Sequence, residues 1–66
     1  MKLRDYTTPE LNVFRELCNF TDSEREVFEL RAKDKSNVEI ALTMNVSEAQ
    51  ISKLSKRVYT KIEKII

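Results

Sequence analysis

Residues 36–54 read SNVEIALTMNVSEAQISKL, and this stretch decides the fold. Ser36 with Glu39, and Ser47 with Gln50, are two capping boxes, so a helix opens at each serine and the first must close between them. Asn45 stands at the break, and asparagine is among the few residues besides glycine that accept left-handed dihedrals. Two short helices can cross steeply only where a small residue lets their backbones approach and apolar residues fill the wedge. Ala41 supplies the small contact, and Ile40, Met44, Val46, Ile51 and Leu54 supply the wedge. The spacing predicts a short helix from Asn37 to Met44, a turn at Asn45 and a long helix from Ser47 to about Lys64. That layout is a helix-turn-helix.

Working outward, Thr21 and Glu24 form another capping box and open a helix carrying Val27, Phe28 and Leu30. Glu24, Glu26 and Glu29 are expected to face outward, interleaved with Arg25 and Lys33. This helix should stop at Asp34-Lys35, where the lack of a glycine implies some backbone strain. Farther upstream, Thr8 reads as an N-cap with Pro9 at the first helical position, where its missing N–H costs nothing. Leu11, Phe14, Leu17 and Cys18 follow at helical spacing, and the helix should end near Asn19. Alternating β-branched runs are absent. The expectation is an all-α, four-helix helix-turn-helix domain with a long C-terminal recognition helix. It spans 1–66 as one domain, with 1–19 an extension carrying one helix and 20–66 the core.

Composition sets the bounds. A chain of 66 residues holds one core and buries only about 60% of its unfolded surface, so it needs well-packed helices or a dimer. Apolar residues at 41% and charged residues at 35% describe a globular chain rather than a disordered one. Glycine is absent, which argues against a phosphate-binding glycine loop. With one cysteine and no histidine, neither an internal disulfide nor a cysteine–histidine metal cluster is available. The chain shows no signal peptide and no apolar run long enough to cross a membrane, so a cytoplasmic location is expected. No nucleophile–base pair is offered, no cofactor is implied, and the chain does not read as an enzyme.

The net charge of +1 says little by itself, but its distribution says more. Residues 1–34 carry six basic and eight acidic side chains, whereas residues 49–66 carry five basic ones (Lys53, Lys56, Arg57, Lys61, Lys64) against Glu63. A basic last helix is what a nucleic-acid reader needs; a merely solvated helix face is the alternative.

From Phe20 to Ile62 the chain resembles, without gaps, the helix-turn-helix domain of LuxR-type regulators and, nearly as well, region 4 of bacterial sigma factors. The residues that carry this are Thr21 with Glu24-Arg25-Glu26-Val27, and Ser36-Asn37 with Glu39-Ile40-Ala41. Val46-Ser47-Glu48-Ala49 follow, then Ile51, Val58-Tyr59, Lys61 and Ile62. In wording and length the chain looks like short sigma-like or LuxR-like proteins of Gram-positive bacteria and their phages. The resemblance implies DNA binding through the helix starting at Ser47, and often dimerisation through the C-terminal part. Two departures stand out. Ser52 occupies a position that is usually lysine in the family, with the basic residue displaced to Lys53. Ser55 occupies a commonly apolar position, with Leu54 taking the apolar role, so the helix is expected to be slightly rotated. No receiver or ligand-binding domain is expected before the first nineteen residues, nor therefore a signal-input mechanism of the long LuxR kind.

The last helix must serve two faces. Ile51, Leu54, Val58, Ile62 and Ile65 make an apolar stripe toward the two preceding helices. The other face presents Ala49, Gln50 and Lys53 as base-reading residues in the turns that enter a major groove. Gln50 can pair with adenine N6 and N7, and Lys53 can reach guanine O6 or N7, each discriminating by about 1–3 kcal/mol. For Gln50 the capping-box role competes for the same amide. Lys35, Ser36, Asn37, Ser47, Ser52, Lys56 and Arg57 are placed to meet phosphates. Val58, Tyr59, Ile62, Ile65 and Ile66 offer a homodimer seam; alternatively Ile65 and Ile66 pack on the first helix, against Leu11 and Phe14. Cys18 reads as a core residue, a redox sensor being the rarer alternative. The expected partner is double-stranded DNA, with no membrane. The rival reading is a protein-interaction module on the same scaffold, such as an anti-repressor or a protein that binds RNA polymerase or another regulator.

Overall fold

The computed structural model describes residues 3–66, the side chain of Arg4 excepted. After a 3₁₀ turn at Leu3–Asp5 come α1 (Thr8–Leu17), α2 (Asp22–Ala32), α3 (Asn37–Met44) and α4 (Glu48–Glu63), with no strand among the described residues. The all-α helix-turn-helix architecture is thus present, and α4 is its longest helix and its central post. Ile51, Leu54, Val58 and Ile62 of α4 are buried against Val27 and Phe28 of α2 and Ile40 and Ala41 of α3. The expected stripe loses its last member, because Ile65 lies beyond the end of α4 and is exposed.

Every α-helix begins with a hydroxyl that accepts the backbone N–H three residues on. Thr21 and Ser36 form the expected reciprocal boxes with Glu24 and Glu39. The first cap is Thr7, not Thr8. Thr7 N–H donates to Glu10 Oε1 at 2.8 Å and Glu10 N–H donates to Thr7 Oγ1 at 3.4 Å. A cap at Thr8 would leave Glu10 one residue short of the box position, so the reciprocal pair decides the register and Pro9 sits second in the helix. The helix ends at Leu17, with Cys18 as its C-cap rather than Asn19. Leu17 is 62% exposed: α1 docks by the narrow line of Phe14 and Cys18, and a residue three positions from Phe14 falls to the side of it.

Both turns use the left-handed region without glycine. Asp34 has φ 63° and Asn45 φ 57°. Each closes its helix with a pair of backbone bonds. Asp34 and Lys35 N–H donate to the Arg31 and Leu30 carbonyls, and Asn45 and Val46 N–H donate to those of Leu42 and Ala41. These bonds offset the strain that a side chain incurs there. Asn45→Ala is expected to lower stability by about 1 kcal/mol through the left-handed Cβ penalty, whereas Asn45→Gly retains stability. Urea denaturation midpoints of the two variants check this. Val46, expected in the wedge, lies at its edge with 38% of its surface exposed, since the turn carries it past the end of α3. Met44 is half-buried against the core.

Two ion pairs join helices across the core. Arg15 on α1 forks onto Glu29 of α2 through Nε and Nη2 at 2.6 and 2.7 Å, while its guanidinium lies 5.4 Å from the Phe28 ring centre. Glu29 is therefore half-buried rather than outward-facing, and Arg15 holds its carboxyl below the usual carboxylate range. Glu24 is likewise not outward: it is 3% exposed and accepts from Lys61 Nζ of α4 at 2.5 Å. Lys61 Nζ also donates to the Asn19 carbonyl at 2.7 Å. That cation is the physical reason a carboxylate can be buried here.

Candidate nucleic-acid interface

At the start of α4, Ser47 Oγ accepts the Gln50 N–H at 3.2 Å. The return bond of a capping box is not formed, and the Gln50 amide makes no hydrogen bond to a described residue. Ser47 thus caps alone, and the Gln50 side-chain amide is not held by the cap. Ala49, Gln50 and Lys53 are all exposed on the first turns of α4. Ala49, Lys53, Lys56, Thr60 and Lys64 recur every three or four residues, so they form one line along α4 opposite its buried stripe. Ser52 and Arg57 are exposed on either side of it.

The displaced polar pair in this helix has a structural answer. Leu54 and Ser55 are both buried, so the core takes both positions rather than exchanging one for the other. Ser55 is tolerated because Arg31 of α2 donates to its Oγ from Nε at 3.3 Å and from Nη2 at 3.2 Å. The same Nη2 donates to Asn37 Oδ1 of α3. One guanidinium therefore ties both helices of the helix-turn-helix to α2. Sequence reading missed this role, because Arg31 and Ser55 lie 24 residues apart and no periodic pattern links them.

At the start of α3 the phosphate candidates differ in what they have left to give. Ser36 Oγ accepts the Glu39 N–H as the N-cap and its backbone N–H is donated to Glu39 Oε1, so the Ser36 O–H joins Lys35 and Asn37 as the donors left there. Asn37 has its carbonyl oxygen engaged by Arg31, which orients the amide and leaves its NH₂ as the free end. Lys35 Nζ lies 3.9 Å from Glu39 in an exposed pair that is worth little and breaks readily. Of the five cations after Ala49, Lys61 is engaged inside the fold. Lys53, Lys56, Arg57 and Lys64 have no ion-pair partner within 4 Å among the described residues.

The proposed dimer seam requires correction. Val58 and Ile62 have no exposed surface and belong to the protomer core, so they cannot face a second copy in this fold. They lie on the buried stripe of α4, which a helix of this small domain cannot spare. Tyr59 is half-buried, while Ile65 and Ile66 remain exposed rather than being covered by α1. Cys18 is buried in the core, and that burial pushes its thiol pKa up, away from the reactive thiolate. Among the described residues no group of side chains suits a metal ion, and no helix is long and apolar enough to cross a membrane.

Comparison with known proteins agrees with this geometry where it gives a match. Neither a curated protein nor a solved structure matches the chain. Residues 18–64 match the family model of bacterial regulatory proteins of the luxR family, a span that runs from the end of α1 through α4 and takes in the whole helix-turn-helix. The chain therefore belongs to the luxR family of bacterial regulatory proteins, DNA-binding regulators of the helix-turn-helix kind.

Proposed function

We propose that this protein is a sequence-specific transcriptional regulator that lays the N-terminal half of α4 in the major groove. Gln50 and Lys53 read base edges with Ala49 between them and the groove floor. Lys35, Ser36, Asn37, Ser47, Ser52, Lys56 and Arg57 flank them at phosphates, Ser36 through the O–H that its capping bond leaves free. The observation that carries this reading is the outer face of α4: exposed, with free donors, and without a carboxylate between Glu48 and Glu63. A duplex backbone meets no like charge there. With few contacts per protomer, useful affinity favours two copies on two half-sites, and Tyr59, Ile65 and Ile66 supply the surface for that pairing.

A second reading has its own observation. Val38 and Leu42, one turn apart on α3, are 52% and 76% exposed, which suits a protein partner such as RNA polymerase or another regulator. Fluorescence anisotropy with a labelled random-sequence duplex separates the two. The DNA reading expects at least tenfold weaker binding at about 200 mM salt than at about 50 mM. It also expects binding to be lost when Lys53→Ala and Lys56→Ala are combined. Absence of binding at low salt by the folded protein would leave the protein-partner reading.

A further inference from the structure

The cationic face of α4 does not stop where the helix-turn-helix does. Lys53, Lys56, Arg57, Thr60 and Lys64 line one open groove, walled on its inner side by the Glu24–Lys61 pair. Lys53 lies at the base-reading end of that line, and from Lys56 to Lys64 the helix advances about 12 Å at about 1.5 Å per residue. That stretch carries Lys56, Arg57 and Lys64 out of the base-reading turns, where the charges of a flanking strand lie, spaced about 3.4 Å along the duplex axis. Glu24 does not spoil the groove, because its charge is engaged by Lys61 at 2.5 Å. Thr60 donates its hydroxyl to the Lys56 carbonyl at 2.8 Å, so it adds neither charge nor a free donor and serves as a low floor between the cations.

Resting on the reading of α4 as the DNA-binding helix, we infer that the Lys56–Lys64 part of this groove seats phosphates of one strand, which makes Lys64 a DNA contact. Lys64 stands three turns beyond Lys53, outside the base-reading turns. Its contribution is affinity and salt sensitivity, with no preference among base sequences.

The test is the slope of log affinity against log salt for a random-sequence duplex, measured on the full chain. Lys64→Gln is compared with Lys33→Gln, which removes the same charge from an exposed position on the far end of α2. The inference expects Lys64→Gln to make the slope shallower by about 0.9, the value for one phosphate contact, and Lys33→Gln to leave it unchanged. Unchanged slope in Lys64→Gln, or an equal change in both variants, overturns the groove while leaving DNA binding by the parent chain intact. Failure of the parent chain to bind the duplex at all overturns both readings, and is seen at the first titration.

Discussion

Phe28→Ala is expected to abolish cooperative folding or to lower the melting temperature by more than 10 °C. Phe28 has no exposed surface, and its ring lies 5.1 Å from that of Phe20 and 5.4 Å from the Arg15 guanidinium. It therefore joins α1, the α1–α2 connection and the core under α4. Truncating a buried phenylalanine costs about 3–5 kcal/mol in lost transfer energy and residual cavity. A core this small supplies roughly that much net stability in total. Each kcal/mol moves the midpoint of a domain of this size by about 4–8 °C. Thermal denaturation followed by helical circular dichroism reads the result, and a shift below about 5 °C would show that the Phe28 site collapses or that the core lies elsewhere.

Glu24→Ala is expected to cost about 2 kcal/mol and to flatten the acid side of the stability profile. Glu24 accepts from Lys61 Nζ at 2.5 Å and from Thr21 N–H at 3.0 Å. Removal strands Lys61 near the core and opens the N-terminal box of α2. A fully buried pair would cost more, but the Lys61 side chain is 32% exposed and recovers part of its hydration. The bond from Lys61, then that from Thr21 N–H, holds the Glu24 carboxyl below the usual carboxylate range, and Arg15 does the same for Glu29. A carboxyl whose folded pKa is depressed stabilises the fold above its unfolded value, near pH 4.3, and loses that contribution as pH falls through the folded value. The parent chain should therefore lose stability steadily below about pH 4. Glu24→Ala should start lower and fall less, and parallel curves for the two proteins would contradict the pairing.

Much of the fold is legible in the sequence because caps and turns are local. Thr21, Ser36 and Ser47 open helices where their spacing to Glu or Gln requires, and Asn45 turns where a left-handed residue is needed. The first cap falls one residue early because Thr7 and Thr8 both carry hydroxyls, and only the distance to Glu10 chooses between them. What is not local is harder to read. The Lys61–Glu24 and Arg31–Ser55 links join residues far apart in the chain, and long side chains leave no periodicity to mark their partners. For the same reason Glu24 reads as a surface carboxylate until the fold brings Lys61 to it. Val58 and Ile62 read as available for a second copy because periodicity gives the apolar stripe but not what covers it. The candidate interface is legible as a row of exposed positions on α4. That the cap does not hold the Gln50 amide, and that Arg31 engages Asn37 Oδ1, becomes visible only in three dimensions.

The most direct test of the proposed interface is amide chemical-shift mapping of the labelled protein titrated with duplex DNA at low salt. Lying in the major groove along its outer face, α4 should show its largest perturbations over residues 47–57, with a second cluster at Lys35–Asn37. Val13 and Leu17 on the outer side of α1 should stay unchanged. Perturbations centred on α1, or on Val38 and Leu42 with α4 silent, would contradict the placement of α4 in the groove.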